Sequence, residues 1–236
     1  TEPRDGLWRA QTPQGFNFAA LLTAHEKFVG DEMTDDAAIA EAAGMRVILV
    51  DGEEQNIKVT TPEDFVRAER LANIYEPRSG MGYDVHRFCD GTSVQLCGVS
   101  IYHDRALEGH SDADVAMHAL CDALYGAIGG GDIGLHFPPS DEQWRGASSE
   151  VFLSHAMERV RALGGRVANV DVTIICEDPK IGPHREAMRT RLAEITGMDI
   201  WRVNVKATTT ERLGFTGRKE GIAAQAIATV MVPVSN

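Results

Sequence analysis

The hydrophobic pattern divides the chain into two unequal pieces. In the first, Phe18, Leu21, Leu22, His25 and Phe28 recur at helical spacing. The run Arg46-Val47-Ile48-Leu49-Val50 predicts a buried strand, and Ile57-Lys58-Val59-Thr60 a second one. Thr61-Pro62-Glu63-Asp64 then predicts a helix start, with Thr61 as N-cap and Pro62 in its first turn. Glu76-Pro77-Arg78-Ser79-Gly80 is the boundary candidate, because turn-forming residues there separate an amphipathic stretch from a new strand-like run. The expected division is 1–77 and 78–236.

The second piece alternates more fully. Its pattern predicts strands at Met81–His86, Ala168–Glu177, Val203–Thr209 and near Gly221–Val232, and helices at Ser111–Ile128, Ser149–Leu163 and Pro183–Thr196. The last strand is argued from Ile227, Thr229, Val230 and Val232 against the helix preference of its alanines. Gly164-Gly165 and Gly197 are placed to stop the helices before them. The expected fold is α+β, a two-layer arrangement with helices on one face of a mixed sheet. The first piece has α/β alternation but too little chain for a complete parallel-sheet domain with its own core.

Composition narrows the function classes. The 236 residues carry 35 acidic and 23 basic side chains, a formal net charge of −12, and no Lys/Arg run, which argues against a nucleic-acid surface. No apolar stretch approaches the roughly 20 residues that span a bilayer. Cys89, Cys97, Cys121 and Cys176 show no C-x-x-C pairing, so reduced thiols and a cytoplasmic location are expected. The start Thr1-Glu2-Pro3-Arg4 has neither Met nor an apolar signal region, and predicts a fragment of a longer protein.

Asp84-Val85-His86, followed by His110-Ser111-Asp112-Ala113-Asp114 and His118, carries the strongest chemical signal. Two residues apart on a strand, Asp84 and His86 leave the same face, and His118 lies on the helix expected from Ser111. One Asp and two His leave a fourth position open on a divalent ion, as catalytic zinc sites do. Ser111 followed by Asp114 resembles a capping box, so a phosphate is expected at the helix-end amides beside His110. Taken singly, Ser111 is an ordinary cap, His110 a surface residue and His118 a core histidine; the set points to metal. Gly129-Gly130-Gly131-Asp132-Ile133-Gly134 reads either as a helix-stopping turn or as a close-approach loop with Asp132 facing sugar hydroxyls. Thr208-Thr209-Thr210-Glu211 ends a strand with hydroxyls and a carboxylate suited to phosphate and a hard cation, or simply follows β-propensity. Leu213 to Arg218 adds a turn carrying an Arg, suited to phosphate or to a surface ion pair.

With Gly82-Tyr83-Asp84-Val85-His86, His110-Ser111-Asp112, Gly131-Asp132-Ile133-Gly134, Pro179-Lys180-Ile181-Gly182-Pro183-His184 and Lys206-Ala207-Thr208-Thr209-Thr210-Glu211 in one order, the chain from Met81 to Val234 resembles the 2-C-methyl-D-erythritol 2,4-cyclodiphosphate synthase family. Ala113, where a glycine is common, and the Lys180-Ile181-Gly182 loop are small departures. The resemblance implies that Asp84, His86 and His118 bind Zn2+ or another transition ion, and that Glu211 binds Mg2+ or Mn2+. It implies transition-state contacts from His110 and Thr209 and a diphosphate contact from Ser111. It places Asp132 and Gly134 at the ribose, and the Cys176–Gly182 loop, with Lys180, beside Thr208, Thr209, Thr210 and Glu211 on the cytidine-diphosphate side. Phe137, Asp141, Phe215 and Arg218 become further substrate contacts. The family is homotrimeric with sites between subunits, so a homotrimer is expected. The implied reaction converts 4-diphosphocytidyl-2-C-methyl-D-erythritol 2-phosphate to the cyclic diphosphate and CMP. A non-catalytic metal- or isoprenoid-binding trimer and a zinc phosphohydrolase are the alternatives. Thr12-Pro13-Gln14 and Asn56-Ile57-Lys58-Val59-Thr60-x-Pro62-Glu63-Asp64 resemble the C-terminal part of 2-C-methyl-D-erythritol 4-phosphate cytidylyltransferase, with Arg4 and Lys58 at its substrate positions. That family's glycine-rich nucleotide loop is missing from this sequence, so cytidylyl transfer is expected only of a longer protein.

Overall fold

The structure is a computed structural model and describes residues 11–30, 32–72 and 75–234. Two compact units divide at Ile74/Tyr75. The first contains α1 (Phe18–Lys27), α2 (Asp36–Ala42) and α3 (Pro62–Ala72). Asn17 and Asp35 cap α1 and α2 through their side chains. Thr61 caps α3 as expected: its Oγ1 accepts from the Asp64 N–H, and Asp64 Oδ2 accepts in return from the Thr60 and Thr61 amides. Both strands expected in this unit are absent. Ile48, Leu49 and Val50 are mostly exposed, and neither 46–50 nor 57–60 joins a ladder. An apolar run becomes a strand only when another strand satisfies its backbone, and the described residues of this unit include none. Arg4 lies outside the described residues.

The second unit is built on a mixed five-stranded sheet in the order β4-β1-β7-β5-β6. Its strands are β1 (Tyr75–Asp90), β4 (Arg105–Leu107), β5 (Arg166–Ile175), β6 (Val203–Thr208) and β7 (Gly221–Pro233). β1 and β5 both run antiparallel to the central β7, and β5 and β6 are parallel, joined through α7 (Arg185–Thr196). A hairpin the sequence pattern did not predict, β2 (Ser93–Leu96) with β3 (Val99–Tyr102), forms a separate two-stranded sheet. β1 starts at Tyr75 rather than Met81, so the turn-rich 76–80 segment is paired strand. Pro77 is tolerated because β4 covers only Phe88–Asp90, leaving this end of β1 at the sheet edge.

α4 (Val115–Ala127), α6 (Ser149–Ala162) and α7 supply the helical layer. α4 is almost entirely buried, and it lies so close to β1 that a Cβ at Gly82 would sit 2.0 Å from the Ala119 carbonyl oxygen. Gly80 meets the backbone of Ala123 and Ala127 in the same way. Glycine on the strand and alanine on the helix therefore bring two backbones together, which carries His118 over the strand that bears Asp84 and His86. Because side chains alternate along β1, Met81, Tyr83 and Val85 emerge on the opposite face, where with Ile227 of β7 they leave apolar surface exposed. Gly164 (φ +68°) and Gly197 (φ +71°) follow α6 and α7 in left-handed conformations, as expected of helix stops.

Candidate metal centre and cleft

Asp84 Oδ2, His86 Nε2 and His118 Nδ1 converge on one point. Asp84 Oδ2 lies 3.0 Å from His118 Nδ1 and 3.1 Å from His86 Nε2, and the two nitrogens are 3.1 Å apart. Donors about 2.0–2.1 Å from a tetrahedral ion sit roughly 3.3 Å from one another, so the triangle fits a divalent ion. His86 supports this independently, because its Nδ1 lies 2.6 Å from the Glu108 carbonyl, which can only accept a hydrogen bond. Nδ1 therefore carries the proton, and the Nε2 lone pair of neutral His86 faces the Asp84 carboxylate. Burial pushes the Asp84 carboxyl up, but hydrogen bonds and charge from His118 and His86 outweigh it and hold Asp84 well below the usual carboxylate range. Burial also opposes charge on His86, yet the hydrogen bond and charge of Asp84 leave its pKa raised.

The loop before α4 differs from the capping box expected at Ser111. α4 begins at Val115, and its N-cap is Asp114, whose carboxylate accepts from the Cys97, Gly98 and Met117 amides while fully buried. The helix end is thus capped by a buried carboxylate of its own chain, through the Met117 amide. Ser111 Oγ lies instead 3.1 Å from His118 Nε2. Ala113 has φ +56°, the left-handed conformation that suits glycine better than alanine.

Asp84, His86, His110, Ser111, His118, Gly134, Phe137 and Asp141 all line one cleft. Asp122, Trp144, Arg145 and Phe152 join them, and no short motif marked these residues in the sequence. Phe137 packs on Phe152 (4.6 Å between ring centroids) and edge-on against Trp144 (4.8 Å), giving the cleft an aromatic wall. Burial raises the pKa of Asp122, whose Oδ1 accepts from the Ile133 amide. Asp132 is exposed and caps α5 (Ile133–His136) through the Leu135 amide, outside the cleft lining.

Lys180, Thr208, Thr209, Thr210, Glu211, Phe215 and Arg218 do not line this cleft. Thr208 is the last residue of β6, and the others lie in the segments that follow β5 and β6. Glu177 Oε1 accepts from the Thr210 and Arg212 amides, tying the two loops together. Thr209 Oγ1 donates to the exposed Glu211 carboxylate at 2.8 Å, and Glu211 has φ +52°. Lys180 bonds the Glu177 carbonyl, and Arg218 pairs with Glu220.

Fold and donor set together define a class: an α+β domain whose mixed sheet and covering helix present an Asp-His-His set suited to a divalent metal. Residues 77–231 match the model of the YgbB family, and the chain belongs to that family. Residues 1–73 match the model described as 2-C-methyl-D-erythritol 4-phosphate cytidylyltransferase.

Among curated relatives, the bifunctional enzyme IspD/IspF of Ruegeria sp. (strain TM1040) is 58% identical over 98% of this chain and 62% of its own length. Its counterpart in Rhodospirillum rubrum is 59% identical over 99% and 61%. The chain thus spans about 62% of the length of such relatives. The solved bifunctional IspDF from Campylobacter jejuni covers 98% of this chain and 62% of its own, at 36% identity and a TM-score of 0.67. A solved 2C-methyl-D-erythritol-2,4-cyclodiphosphate synthase in a CDP-bound form covers 65% of this chain and 99% of its own, at 39% identity and a TM-score of 0.60.

Proposed function

We propose that this chain converts 4-diphosphocytidyl-2-C-methyl-D-erythritol 2-phosphate to 2-C-methyl-D-erythritol 2,4-cyclodiphosphate and CMP, within non-mevalonate isoprenoid biosynthesis. The observation that carries the reading is the convergence of Asp84, His86 and His118 in a cleft shared with His110 and Ser111. In this reaction the 2-phosphate oxygen bonds to the β-phosphorus, the bond from that phosphorus to the CMP oxygen breaks, and CMP leaves with its electron pair. The nucleophile is already anionic and tethered, so orientation and charge neutralisation lower the barrier without a general base.

Asp84, His86 and His118 would hold Zn2+ or another divalent transition ion, and Glu211 an Mg2+ or Mn2+ ion. When bound, these ions supply positive charge to the diphosphate. His110 and Ser111 bind and orient the diphosphate from the chain side, while the Phe137–Phe152 wall keeps water from the organic moiety. Thr209 is assigned the second transition-state contact. Asp132 and Gly134 take the ribose, and the loop carrying Lys180 with Thr208 to Glu211 takes the cytidine diphosphate. Phe137, Asp141, Phe215 and Arg218 are further substrate contacts.

The cytidine-side residues lie outside the metal cleft of their own chain, which is the arrangement a site shared between subunits requires. The exposed apolar positions Met81, Tyr83, Val85 and Ile227 favour a homotrimer through this sheet face. Residues 1–77 are read as the C-terminal part of a cytidylyltransferase domain and 78–236 as the cyclodiphosphate synthase. The longer protein is then a bifunctional cytoplasmic enzyme. No helix among the described residues is long and apolar enough to cross a membrane.

The test is phosphorus NMR of the purified chain with substrate, with and without a chelator. Metal-replete protein should yield CMP and the cyclic diphosphate. Release of inorganic phosphate instead would make it a hydrolase, and absence of both products would remove catalysis from the reading.

A further inference from the structure

Two residues that neither the sequence motifs nor the reaction assigns stand directly behind His118. Ser149, at the start of α6, is fully buried, and its Oγ lies 2.9 Å from His118 Nε2. The same hydroxyl bonds the carboxylate of Asp112, which also accepts from the Ser149 amide at 3.0 Å and the Asp114 amide at 3.3 Å. Asp112 is itself fixed, because its own amide donates to the Ala147 carbonyl at 3.0 Å.

Counting protons gives this chain a direction. A carboxylate offers only acceptors, so the single hydroxyl proton of Ser149 goes to Asp112. The Ser149 oxygen then presents only lone pairs to His118, and the ring must donate from Nε2. A neutral imidazole has one N–H, so Nδ1 is left with its lone pair. Nδ1 is the atom 3.0 Å from Asp84 Oδ2 and 3.1 Å from His86 Nε2. His86 obtains the same outcome from the Glu108 backbone carbonyl. The relay has a second effect. Ser111 Oγ is 3.1 Å from the same Nε2 and accepts from the Ala113 amide, so its own proton has no acceptor there and is free to point into the cleft that Ser111 lines.

We propose that Asp112 and Ser149 are positioning residues that hold His118 as its Nε2–H tautomer, presenting Nδ1 to the metal and leaving the Ser111 hydroxyl free to donate to substrate phosphate. The proposal rests on Asp84, His86 and His118 being the metal site. Partners of this kind, behind a ligand histidine, orient the ring and change metal affinity by about 10–100-fold when removed.

The experiment uses Ser149→Ala, which deletes the relay, and Asp112→Asn, whose amide can donate to Ser149 and turn its proton toward His118. Both retain an acceptor for the Ser149 amide at position 112, and neither touches Ser148, the N-cap of α6. Zinc affinity is read by competition with a chromophoric chelator, and the His118 tautomer in metal-free protein by long-range proton–nitrogen NMR, assigned against His118→Ala.

We expect Nε2–H in the parent, a shift toward Nδ1–H in Asp112→Asn, and zinc binding weakened about 10–100-fold in both variants. The proposal is overturned by Nδ1–H in the parent, or by folded variants that bind zinc within about twofold of it. The tautomer of the parent decides even where a variant fails to fold. A parent that binds no zinc overturns the metal reading itself, a separate outcome.

Discussion

Gly82→Ala tests the packing that assembles the metal centre. The added methyl would lie 2.0 Å from the Ala119 carbonyl oxygen and 2.8 Å from the Ala123 nitrogen, both backbone atoms that no rotamer change can move. Restoring an ordinary 3.4 Å contact requires α4 to retreat from β1 by about 1.4 Å. Overpacking of this kind costs about 1–3 kcal/mol, and the rigid neighbours place this case near the upper end. For a protein of this size, ~3 kcal/mol lowers the melting temperature by roughly 6–12 °C. The retreat also carries His118 away from the strand. Its Nδ1, now 3.0 Å from Asp84 Oδ2, moves toward 4 Å, beyond the roughly 3.3 Å spacing of donors on one tetrahedral zinc. Calorimetry with zinc and with chelator, joined to a zinc competition titration, reads both effects. Gly182→Ala is the control, since nothing lies within 4 Å of a Cβ there. A Gly82→Ala protein with parental melting temperature and zinc affinity would refute the close strand–helix contact and the account of the site built on it.

His118→Ala should abolish tightly bound zinc while leaving the fold, and atomic absorption of the purified protein checks it. An unchanged zinc content would remove His118 from the ligand set. Asp114→Ala should destabilise the protein by about 3 kcal/mol, because three amides lose their acceptor inside the core, and denaturant unfolding measures this. The pH dependence has a defined sign. In metal-free protein the raised pKa of His86 contributes stability that is fully present below the unfolded value of 6.5 and is lost as pH rises through the folded value. Asp84, depressed, contributes above its unfolded value of 3.8 and loses that contribution only as pH falls through its folded pKa. Zinc must displace the His86 proton, so its affinity should begin to fall above pH 6.5, as pH drops through the raised His86 pKa, and an affinity that stays flat down to pH 6.5 would contradict the cluster.

The donor set was legible because strand spacing alone places Asp84 and His86 on one face, and the helix bearing His118 was evident from its apolar pattern. The core strands and helices of the second unit were legible for the same reason. What escaped the pattern depends on contacts distant in sequence. Ser111 and Asp114 read as a capping box, but the amides of Cys97 and Gly98, brought in by an unpredicted hairpin, draw Asp114 into the cap and move the helix start. Ser149 gave no signal, because its importance lies in facing Asp112 across 37 residues. Val47 to Val50 looked like a core strand because hydrophobicity reports a wish for burial, whereas a ladder also needs a neighbour. Thr208 to Glu211 were correctly marked as a hydroxyl-rich strand end, yet one chain does not bring them to the metal cleft.

β1 acts as a two-sided ruler. Its pairing with β7 runs from Tyr75 to Arg87, residue against residue, so each step along it assigns a side chain to one face or the other. Asp84 and His86 fall on the helix side, and Met81, Tyr83 and Val85 on the other. Inserting one residue between Gly82 and Asp84 would exchange these roles, turning the metal donors outward and the apolar side chains against α4. Metal chemistry and the proposed subunit contact are therefore written in alternate letters of a single strand, and neither can drift in register without spoiling the other.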